Sequence, residues 1–308
     1  MVDKVKKIWM EGELVEWDDA NVHVTTHTLH YGLGAFEGIR AYKRADGSTA
    51  IFRLKEHISR LFDTCKLVMI EPRFTPDQVR DGCIGLLREN AMEEAYLRPL
   101  VYVGDGALGV YAPDNPIRTI IMAWRWGAYL GHAALEGGVR AKLSSWSRHH
   151  VHVSLAKGKI MGQYTNNTMA KREAKMAGYD EAILMDTNGY VCEGSGENLF
   201  MVKGGRLLTP PLSASILAGV TRDTILVLAR EEGIPVSEEM ITRDQLYLAD
   251  EAFFTGTAAE VTPIREIDER KIGSGVAIGP ITKRLQQRYF DVVKGSDESH
   301  PEWLTRTR

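Results

Sequence analysis

The sequence predicts an α+β fold. Strand-like and helix-like segments follow one another without the regular strand–helix–strand rhythm of a doubly wound sheet. β-branched residues indicate strands at 97–103 and 118–124, whereas apolar residues at helical spacing indicate a helix at 56–70. With 308 residues, the chain is long enough for two domains of ordinary size.

The first part of the chain, residues 1–126, predicts a small N-terminal α/β domain. It opens with a hairpin at 7–17, where apolar and polar residues alternate on either side of a central turn. Thr75 and Pro76 are the expected N-cap and first residue of a second helix. The following segment, 127–138, is rich in glycine and small residues, which is typical of an interdomain linker.

Residues 139–308 predict a larger C-terminal domain. Strands are expected at 139–147 and 151–155, and as short strands around Asp186 and Glu193. Helices are expected at 166–177, 221–232 and 280–293. The tail after Lys294 is polar and is expected to be loose.

Composition excludes several classes of function. The formal net charge is -3, so no nucleic-acid partner is indicated. Cys65, Cys83 and Cys192 are scattered and odd in number, which argues against a disulfide framework and fits a reducing cytosol. The N-terminus has no apolar signal region, and no apolar run has the length of a membrane span. We therefore expect a cytoplasmic protein with no membrane partner.

Two polar residues are candidates for catalysis because of the segments in which they lie. Lys159 follows an apolar, strand-like run, and Glu193 lies on a glycine-rich turn. A pyridoxal phosphate (PLP) enzyme needs a lysine that forms a Schiff base and an acid that faces the pyridine nitrogen. Lys157 competes for the first role, because residues two apart on a strand face the same way. Taken alone, each residue is also compatible with a solvated lysine or a plain turn glutamate.

Other segments supply what such a site requires. The helix that begins near Thr221 has either an anion site or a plain threonine N-cap at its start. A small-residue turn at 256–259 offers another hydroxyl, and Arg60 offers a guanidinium. The aromatic and glycine-rich segment 31–40, with Trp126 and Tyr129, can line an apolar pocket or belong to the core.

Two further patterns are rejected as sites. Residues 104–109 match the dinucleotide fingerprint, but the proline-containing segment that follows cannot open a helix for a pyrophosphate. His150 and His152 are expected to share a strand face, yet no third metal ligand has a plausible spacing.

In their order along the chain, these motifs resemble the branched-chain aminotransferases of the fold-type IV class of PLP enzymes. The likeness covers nearly the whole length, although 148–157 is less easily aligned. It implies two domains with the cofactor at their interface. The matching segments are His30-Tyr31-Gly32, Phe36-Glu37-Gly38-Ile39-Arg40, Leu97-Arg98-Pro99, Trp126-Gly127-Ala128-Tyr129, Glu193-Gly194-Ser195-Gly196-Glu197-Asn198-Leu199-Phe200, Gly219-Val220-Thr221-Arg222 and Gly256-Thr257-Ala258-Ala259-Glu260.

The resemblance implies a role for each cofactor-binding residue. It selects Lys159 over Lys157 as the Schiff-base lysine and catalytic residue. Tyr164 is implied to bind the phenolic oxygen of PLP and Glu193 its ring nitrogen, with Leu217 on the ring face opposite the substrate. The implied phosphate ligands are Arg60, Val220, Thr221 and Thr257.

The resemblance also implies the substrate pocket. Thr257 and Ala258, with Tyr96, are implied to hold the α-carboxylate. Arg98, Tyr31 and Tyr129 are the implied polar partners of a glutamate side chain. The implied apolar wall is formed by Phe36, Gly38, Trp126 and Tyr129, and a partner subunit contributes Tyr31 and Val110.

The implied reaction is ping-pong transamination of leucine, isoleucine and valine with 2-oxoglutarate, so that amino acids and 2-oxo acids are the small-molecule partners. The implied assembly is at least a homodimer, with a hexamer as a further possibility among relatives. The alternatives are a D-amino-acid or (R)-amine aminotransferase, an aminodeoxychorismate lyase, and a non-catalytic PLP binder on the same scaffold.

Overall fold

The computed structural model describes residues 3–127, 130–275 and 278–307. The chain forms two compact units. Unit 1 contains the described residues up to Trp126, the segment Gly158–Tyr164, and the residues from Val292 onward. Unit 2 contains the described residues of 127–157 and of 165–291. Lys159 therefore belongs to unit 1 and Glu193 to unit 2.

Strands and helices are mixed along the chain. The strands are β1 (Lys7–Met10), β2 (Glu13–Glu16), β3 (Gly34–Phe36), β4 (Ile39–Lys43), β5 (Thr49–Phe52), β6 (Ala95–Val103), β7 (Ile117–Trp124), β8 (Val139–Ser147), β9 (Glu181–Met185), β10 (Tyr190–Gly194), β11 (Asn198–Lys203), β12 (Arg206–Thr209), β13 (Val236–Glu238), β14 (Ile241–Thr242), β15 (Glu251–Gly256), β16 (Glu260–Ile267), β17 (Arg270–Lys271) and β18 (Leu304–Arg306). The helices are α1 (His27–Tyr31), α2 (Leu54–Leu67), α3 (Pro76–Glu89), α4 (His132–Gly137), α5 (Tyr164–Met176), α6 (Val220–Glu231), α7 (Arg243–Tyr247) and α8 (Pro280–Lys294). This mixture confirms the predicted α+β class.

Unit 1 is built on an antiparallel sheet with the order β18-β5-β4-β6-β7-β1-β2, and β3 also pairs with β6. Helices α2 and α3 cover it through a core that includes Leu61, Leu86, Leu97 and Ile121. These side chains are almost fully buried, and burial of apolar surface is the main stabilising term in such a core. The sheet therefore gives rigid support to side chains on β3, β4 and β6.

Local sequence signals in unit 1 are confirmed. The predicted hairpin forms, with Lys7 opposite Glu16 in the β1–β2 register. Thr75 is the N-cap of α3 and makes a capping box with Gln78, since each side chain binds the backbone N–H of the other residue. Short-range chemistry was enough to predict both features.

The chain after Lys294 is ordered, so the expectation of a loose tail is wrong. Strand β18 pairs with β5 at the edge of the sheet, with Leu304 opposite Phe52. Trp303 is buried against the edge of the Phe52 ring, and the Arg53 guanidinium lies over it. A tryptophan buries a large apolar area, and an edge strand offers free backbone partners, which together hold the tail in place.

Unit 2 is built on a larger sheet with the order β13-β12-β11-β15-β16-β8-β9-β10-β14, and an additional β10–β11 pairing joins two of its strands. Its core includes Leu199, Phe254 and Ile267. Glu193 on β10 pairs with Asn198 on β11, which in turn pairs with Thr255 on β15. The register therefore brings the Glu193 turn next to the turn that follows β15.

Several sequence predictions in unit 2 need correction. Residues 151–155 form a turn instead of a strand, because the N–H groups of Val153 and Ser154 both donate to the carbonyl of His150. Their valines are exposed, so the apolar alternation has no core to face. His150 and His152 consequently share no strand face. Helix α4 lies within 127–138, and the role of that segment as an interdomain linker stays a prediction.

Two other features bear on excluded functions. Gly104 donates its N–H to the carbonyl of Pro116, and the described residues 110–116, directly after the glycine-rich segment 104–109, form no helix; the next element is β7. Among the residues that the structure describes, no helix is both long enough and apolar enough to cross a membrane.

Candidate active site

The backbone of Lys159 is fixed by two elements of unit 1. Its carbonyl accepts a hydrogen bond from the N–H of Phe36 at 3.1 Å, and its N–H donates to Oγ1 of Thr64 at 3.0 Å. The first contact lies at the end of β3 and the second on α2. The expected position at a strand end is therefore wrong, since Lys159 lies in an irregular segment held by its neighbours.

The side chain of Lys159 meets an aromatic hydroxyl. Its Nζ donates to Oη of Tyr164, the first residue of α5, at 2.6 Å. The same Nζ lies 4.8 Å from the ring centre of Phe36. A phenol at this distance can share a proton with the amine, and the Phe36 ring excludes water from one side. The pair has the residue types and spacing of a proton-transfer site.

Lys157 has a different environment from Lys159. Its Nζ donates to the carbonyl of Ala214 at 2.9 Å and to that of Ile216 at 2.8 Å, both in unit 2. The expectation that the two lysines face the same way is therefore wrong, because the segment is not a strand. Partial burial lowers the pKa of Lys157, since its ammonium has lost part of its water.

Aromatic side chains of unit 1 surround the guanidinium of Arg98. Its central carbon lies 4.8 Å from the ring centre of Phe36 and 5.4 Å from that of Tyr96. The ring of Trp126 packs edge-on against Tyr96, with 4.7 Å between the centres. The Nε of Arg98 is buried and has no hydrogen-bond partner. A buried donor without a partner marks this pocket as able to take a polar atom of a ligand.

Gly38 is required by the same pocket. A Cβ atom built on Gly38 would lie 1.8 Å from Oη of Tyr96, which is far inside van der Waals contact. Only glycine leaves the Tyr96 hydroxyl in this position. The predicted pocket residues Phe36, Gly38, Tyr96 and Arg98 thus lie together in unit 1.

A buried carboxylate, Glu37, was missed by sequence reasoning. Arg60 donates to both of its oxygens, from Nε at 2.7 Å and from Nη2 at 2.9 Å. Nδ1 of His57 lies 2.8 Å from the same group. Burial alone raises the pKa of Glu37, but Arg60 and His57 hold it well below its usual range. The sequence feature that could have revealed the Glu37–Arg60 pair is an acidic residue within an otherwise apolar segment. The proposed role of Arg60 at a phosphate remains a prediction.

The carboxylate of Glu193 is buried in unit 2. Its Oε1 lies 2.9 Å from Nη2 of Arg148. Its Oε2 accepts from Nδ2 of Asn198 and from the backbone N–H of Leu217, each at 3.0 Å. These donors fix the orientation of the carboxylate, and charge-assisted hydrogen bonds of this kind are made to a carboxylate. Such a group can hold a proton on a nitrogen base in front of it.

The start of α6 lies beside the Glu193 turn. Gly219 is the N-cap, and no side chain caps the helix, so the alternative of a threonine N-cap is wrong. A Cβ atom on Gly219 would lie 1.9 Å from Oδ1 of Asn198, so only glycine fits there. The first amides of a helix have no intrahelical partner, which leaves those of Val220 and Thr221 available to an anion.

The remaining predicted residues lie at turns and on the surface. Thr257 and Ala258 form the turn between β15 and β16, next to Thr255, whose buried Oγ1 has no partner. Tyr31 is 45% exposed and Val110 is 88% exposed, so neither contributes to a buried pocket within this chain. Tyr129 lies outside the described residues.

A second buried acid supports the Glu193 turn. Glu197 accepts from the N–H of Gly196 at 3.0 Å, and the neighbouring Glu181 accepts from Oγ of Ser195 at 2.6 Å. Burial and the charge of Glu181 raise the pKa of Glu197 to about 8. The turn that carries Glu193 is thus tied to side chains on both of its flanks.

The comparisons with known proteins identify the family of the chain. Residues 34–267 match the family described as amino-transferase class IV. The branched-chain-amino-acid aminotransferase of Pseudomonas aeruginosa is 50% identical over 305 residues, covering 99% of this chain and 98% of that protein.

Solved structures show the same likeness. The crystal structure of the Escherichia coli branched-chain amino acid aminotransferase superposes with a TM-score of 0.96 at 44% identity, covering 99% of this chain and 100% of that one. That of the Thermobaculum terrenum branched-chain enzyme in its PLP form gives 0.92 at 36% identity, covering 99% of both chains. The predicted resemblance is confirmed. The chain belongs to the class IV aminotransferase family, among the branched-chain-amino-acid aminotransferases.

Proposed function

We propose that the chain moves the amino group of leucine, isoleucine or valine to 2-oxoglutarate in the two half-reactions of a ping-pong cycle. By its family the chain is an aminotransferase, and PLP is its cofactor. The observation that carries the catalytic assignment is the Lys159 amine, which donates to the Tyr164 hydroxyl at 2.6 Å while Lys157 is bound to two carbonyls.

The residues of each unit fit the parts of PLP. Unit 1 offers an amine beside a phenol, and unit 2 offers a buried carboxylate with fixed orientation. The uncapped start of α6 offers amides to a phosphate, and position 219 needs glycine because a Cβ atom there would collide with Asn198. When bound, PLP supplies an aldehyde that reacts with amines and a ring that accepts electrons from the substrate α-carbon.

Each protein group then has a distinct task. Lys159 acts as the base that removes a proton from the substrate α-carbon and, in the reverse half-reaction, as the acid that returns it. Tyr164 holds that amine in place and donates to the phenolic oxygen of the cofactor. Glu193, held by Arg148 and Asn198, would face the ring nitrogen and keep a proton on it. Leu217 is proposed to pack on the ring, and Arg60, Val220, Thr221 and Thr257 to bind the phosphate.

The substrate pocket must accept both an aliphatic side chain and the carboxylate of glutamate. Burial of an unpaired carboxylate is expensive. The rings of Phe36 and Tyr96 supply the apolar wall, and Arg98 between them supplies the charge. We assign the α-carboxylate to the amides of Thr257 and Ala258, with help from Tyr96. Gly38 and Trp126 complete the wall.

Other features of the assembly are proposals that rest on the resemblance. We propose a homo-oligomer, a dimer at least, in which Tyr31 and Val110 of one copy reach the pocket of the next; their exposure supports this. Tyr129 is proposed to line the same pocket. A cytoplasmic location and a division into domains 1–126 and 139–308, joined by 127–138, also stay predictions.

A panel of amino donors tests the proposed activity. The purified chain is given PLP and 2-oxoglutarate, and glutamate formation is measured with L-leucine, L-isoleucine, L-valine, D-alanine and an (R)-amine as donors. We expect the three branched L-amino acids to give the highest kcat/KM, and the Lys159→Ala variant to give none of this activity. Preference for D-alanine or the (R)-amine would overturn the proposal in favour of another aminotransferase of the same fold.

A further inference from the structure

The segment 214–217 of unit 2 is irregular and largely buried, and its carbonyls are bound by side chains. Lys157 donates to the carbonyls of Ala214 and Ile216. Nε of Arg148 donates to that of Ser215 at 3.2 Å, and Nδ2 of Asn198 donates to that of Leu217 at 2.9 Å. Four consecutive carbonyls therefore receive a side-chain donor. A buried segment without regular structure needs such partners to avoid unpaired polar groups.

Two of these donors also hold the carboxylate of Glu193. Arg148 binds Oε1 of Glu193, and Asn198 binds Oε2. Leu217 closes the network, because its own N–H donates to Oε2. The position of the carboxylate thus depends on where the backbone of 214–217 lies.

Lys157 acts on this network through backbone carbonyls, and the nearby charge of Glu193 offsets part of the effect of burial on its pKa. Its ammonium binds two carbonyls that are two residues apart, and so fixes the segment immediately before Leu217. The side chains of Ala214 and Ile216 pack on Cys192, the residue before Glu193. The segment is thereby held against β10 from one side and by Lys157 from the other.

We propose that Lys157 is a positioning residue for the proposed transamination: it holds the segment 214–217 so that the N–H of Leu217 and the carboxylate of Glu193 stay aligned for the cofactor ring. This inference rests on the proposed function. It also gives a role to the lysine that competes with Lys159 in the sequence, since an ammonium engaged by two carbonyls supports structure instead of attacking an aldehyde.

The test compares three variants of the full chain. Lys157→Met removes the ammonium and keeps a long stem, whereas Lys157→Arg keeps a cationic donor. Lys203→Met is the matched control, because Lys203 also donates to a carbonyl of unit 2, that of Leu248, away from the segment 214–217. Each protein is stripped of cofactor and titrated with PLP, and the visible absorption band and the dissociation constant are recorded.

We expect Lys157→Met to weaken PLP binding about tenfold, because loss of hydrogen bonds from a charged donor costs on that order of binding affinity when the partner orients a ligand group. The absorption band should shift, since Glu193 no longer keeps the ring nitrogen fully protonated. Lys157→Arg should lie within about threefold of the unaltered chain, and Lys203→Met should change nothing, as is usual for exposed pairs.

Hydrogen exchange of the peptide 212–219 gives a second readout on the folded proteins. We expect faster exchange in Lys157→Met than in Lys203→Met, because the segment that carries the N–H of Leu217 loses its anchor and no longer holds that N–H on Glu193. Unchanged affinity, spectrum and exchange in Lys157→Met would overturn the inference and leave the proposed function intact. If the unaltered chain binds no PLP at all, the proposed function itself fails.

Discussion

Glu37 in unit 1 and Glu193 in unit 2 are both buried carboxylates that face an arginine, but their donors come from different parts of the fold. Arg60 and His57, which hold Glu37, lie three residues apart on the single helix α2. The donors to Glu193 come from three separate segments: Arg148 follows β8, Asn198 lies on β11, and Leu217 lies in the segment before α6. The first pair joins one helix to one sheet, whereas the second depends on the assembly of unit 2.

This difference indicates different tasks. A carboxylate with no exposed surface and two side-chain partners on one helix has little opportunity to meet a ligand, so Glu37 stabilises unit 1 and orients Arg60. Glu193 is surrounded by a glycine-rich turn and the uncapped start of α6, where a ligand can approach closely. We therefore expect substitution of Glu37 to change stability most, and substitution of Glu193 to change catalysis most.

The largest expected effect is on the Glu37 pair. Glu37→Gln leaves the guanidinium of Arg60 without its buried counter-charge, which should lower the free energy of unfolding by about 3–5 kcal/mol. Urea denaturation measures this. Asp18→Asn is the control, because Asp18 pairs with Lys4 at an exposed position and should contribute less than about 1 kcal/mol. Equal effects of the two substitutions would refute the structural role of Glu37.

The pH dependence of stability tests the same pair. The folded-state pKa of Glu37 is lower than its unfolded value, because Arg60 and His57 outweigh the effect of burial. Its contribution is therefore complete above the unfolded pKa of about 4.3 and is lost as the pH falls toward the folded value. Between about pH 5 and pH 2 the unaltered chain should lose more stability than Glu37→Gln does. Parallel curves for the two proteins would contradict this assignment.

Glu193→Gln should affect catalysis strongly. The amide cannot keep a proton on the ring nitrogen, and loss of one preorganised electrostatic partner typically lowers kcat about 100- to 1000-fold. Stability should fall less than in Glu37→Gln, because Arg148 keeps Asn167 and the carbonyl of Ser215 as partners. Steady-state kinetics with leucine measures this loss of kcat. Glu266→Gln is the control, because Glu266 pairs with Arg140 at a partly exposed position. A Glu193→Gln enzyme with near-normal kcat would rule out the proposed role.

Arg98→Met should have the smallest and most selective effect. Glutamate and 2-oxoglutarate need a cation for their side-chain carboxylate, so their kcat/KM should fall about tenfold or more beyond any loss with leucine. Arg118→Met, on the neighbouring strand β7 and partly exposed, is the control. Equal losses for leucine and glutamate would remove Arg98 from the specificity pocket.

The sequence predicted the features that depend on neighbouring residues. The capping box of Thr75, the β1–β2 hairpin and helix α8 all follow from local chemistry. Lys159 and Glu193 were candidates from the sequence, because glycine-rich turns and unusual polar residues are visible without a structure. The choice of Lys159 over Lys157 rests on the resemblance, and both roles stay predictions.

Features that depend on distant partners were missed. The alternation of apolar and polar residues at 151–155 is typical of a strand, but hydrogen bonds to the carbonyl of His150 fold the segment into a turn. The tail appeared loose because the burial of Trp303 and the pairing of β18 with β5 join residues that are far apart in sequence. The carboxylate of Glu37 has its partners on a helix twenty residues further along the chain. Only the folded chain brings these groups together.

The central claim is that the Lys159 amine, and not that of Lys157, reacts with the cofactor aldehyde. Borohydride reduction of the enzyme with bound PLP, followed by digestion and mass spectrometry, measures this directly. The structure predicts a phosphopyridoxyl group on Lys159 alone, because its amine faces Tyr164 whereas that of Lys157 is bound to two carbonyls. A label on Lys157, or on neither lysine, would contradict the account.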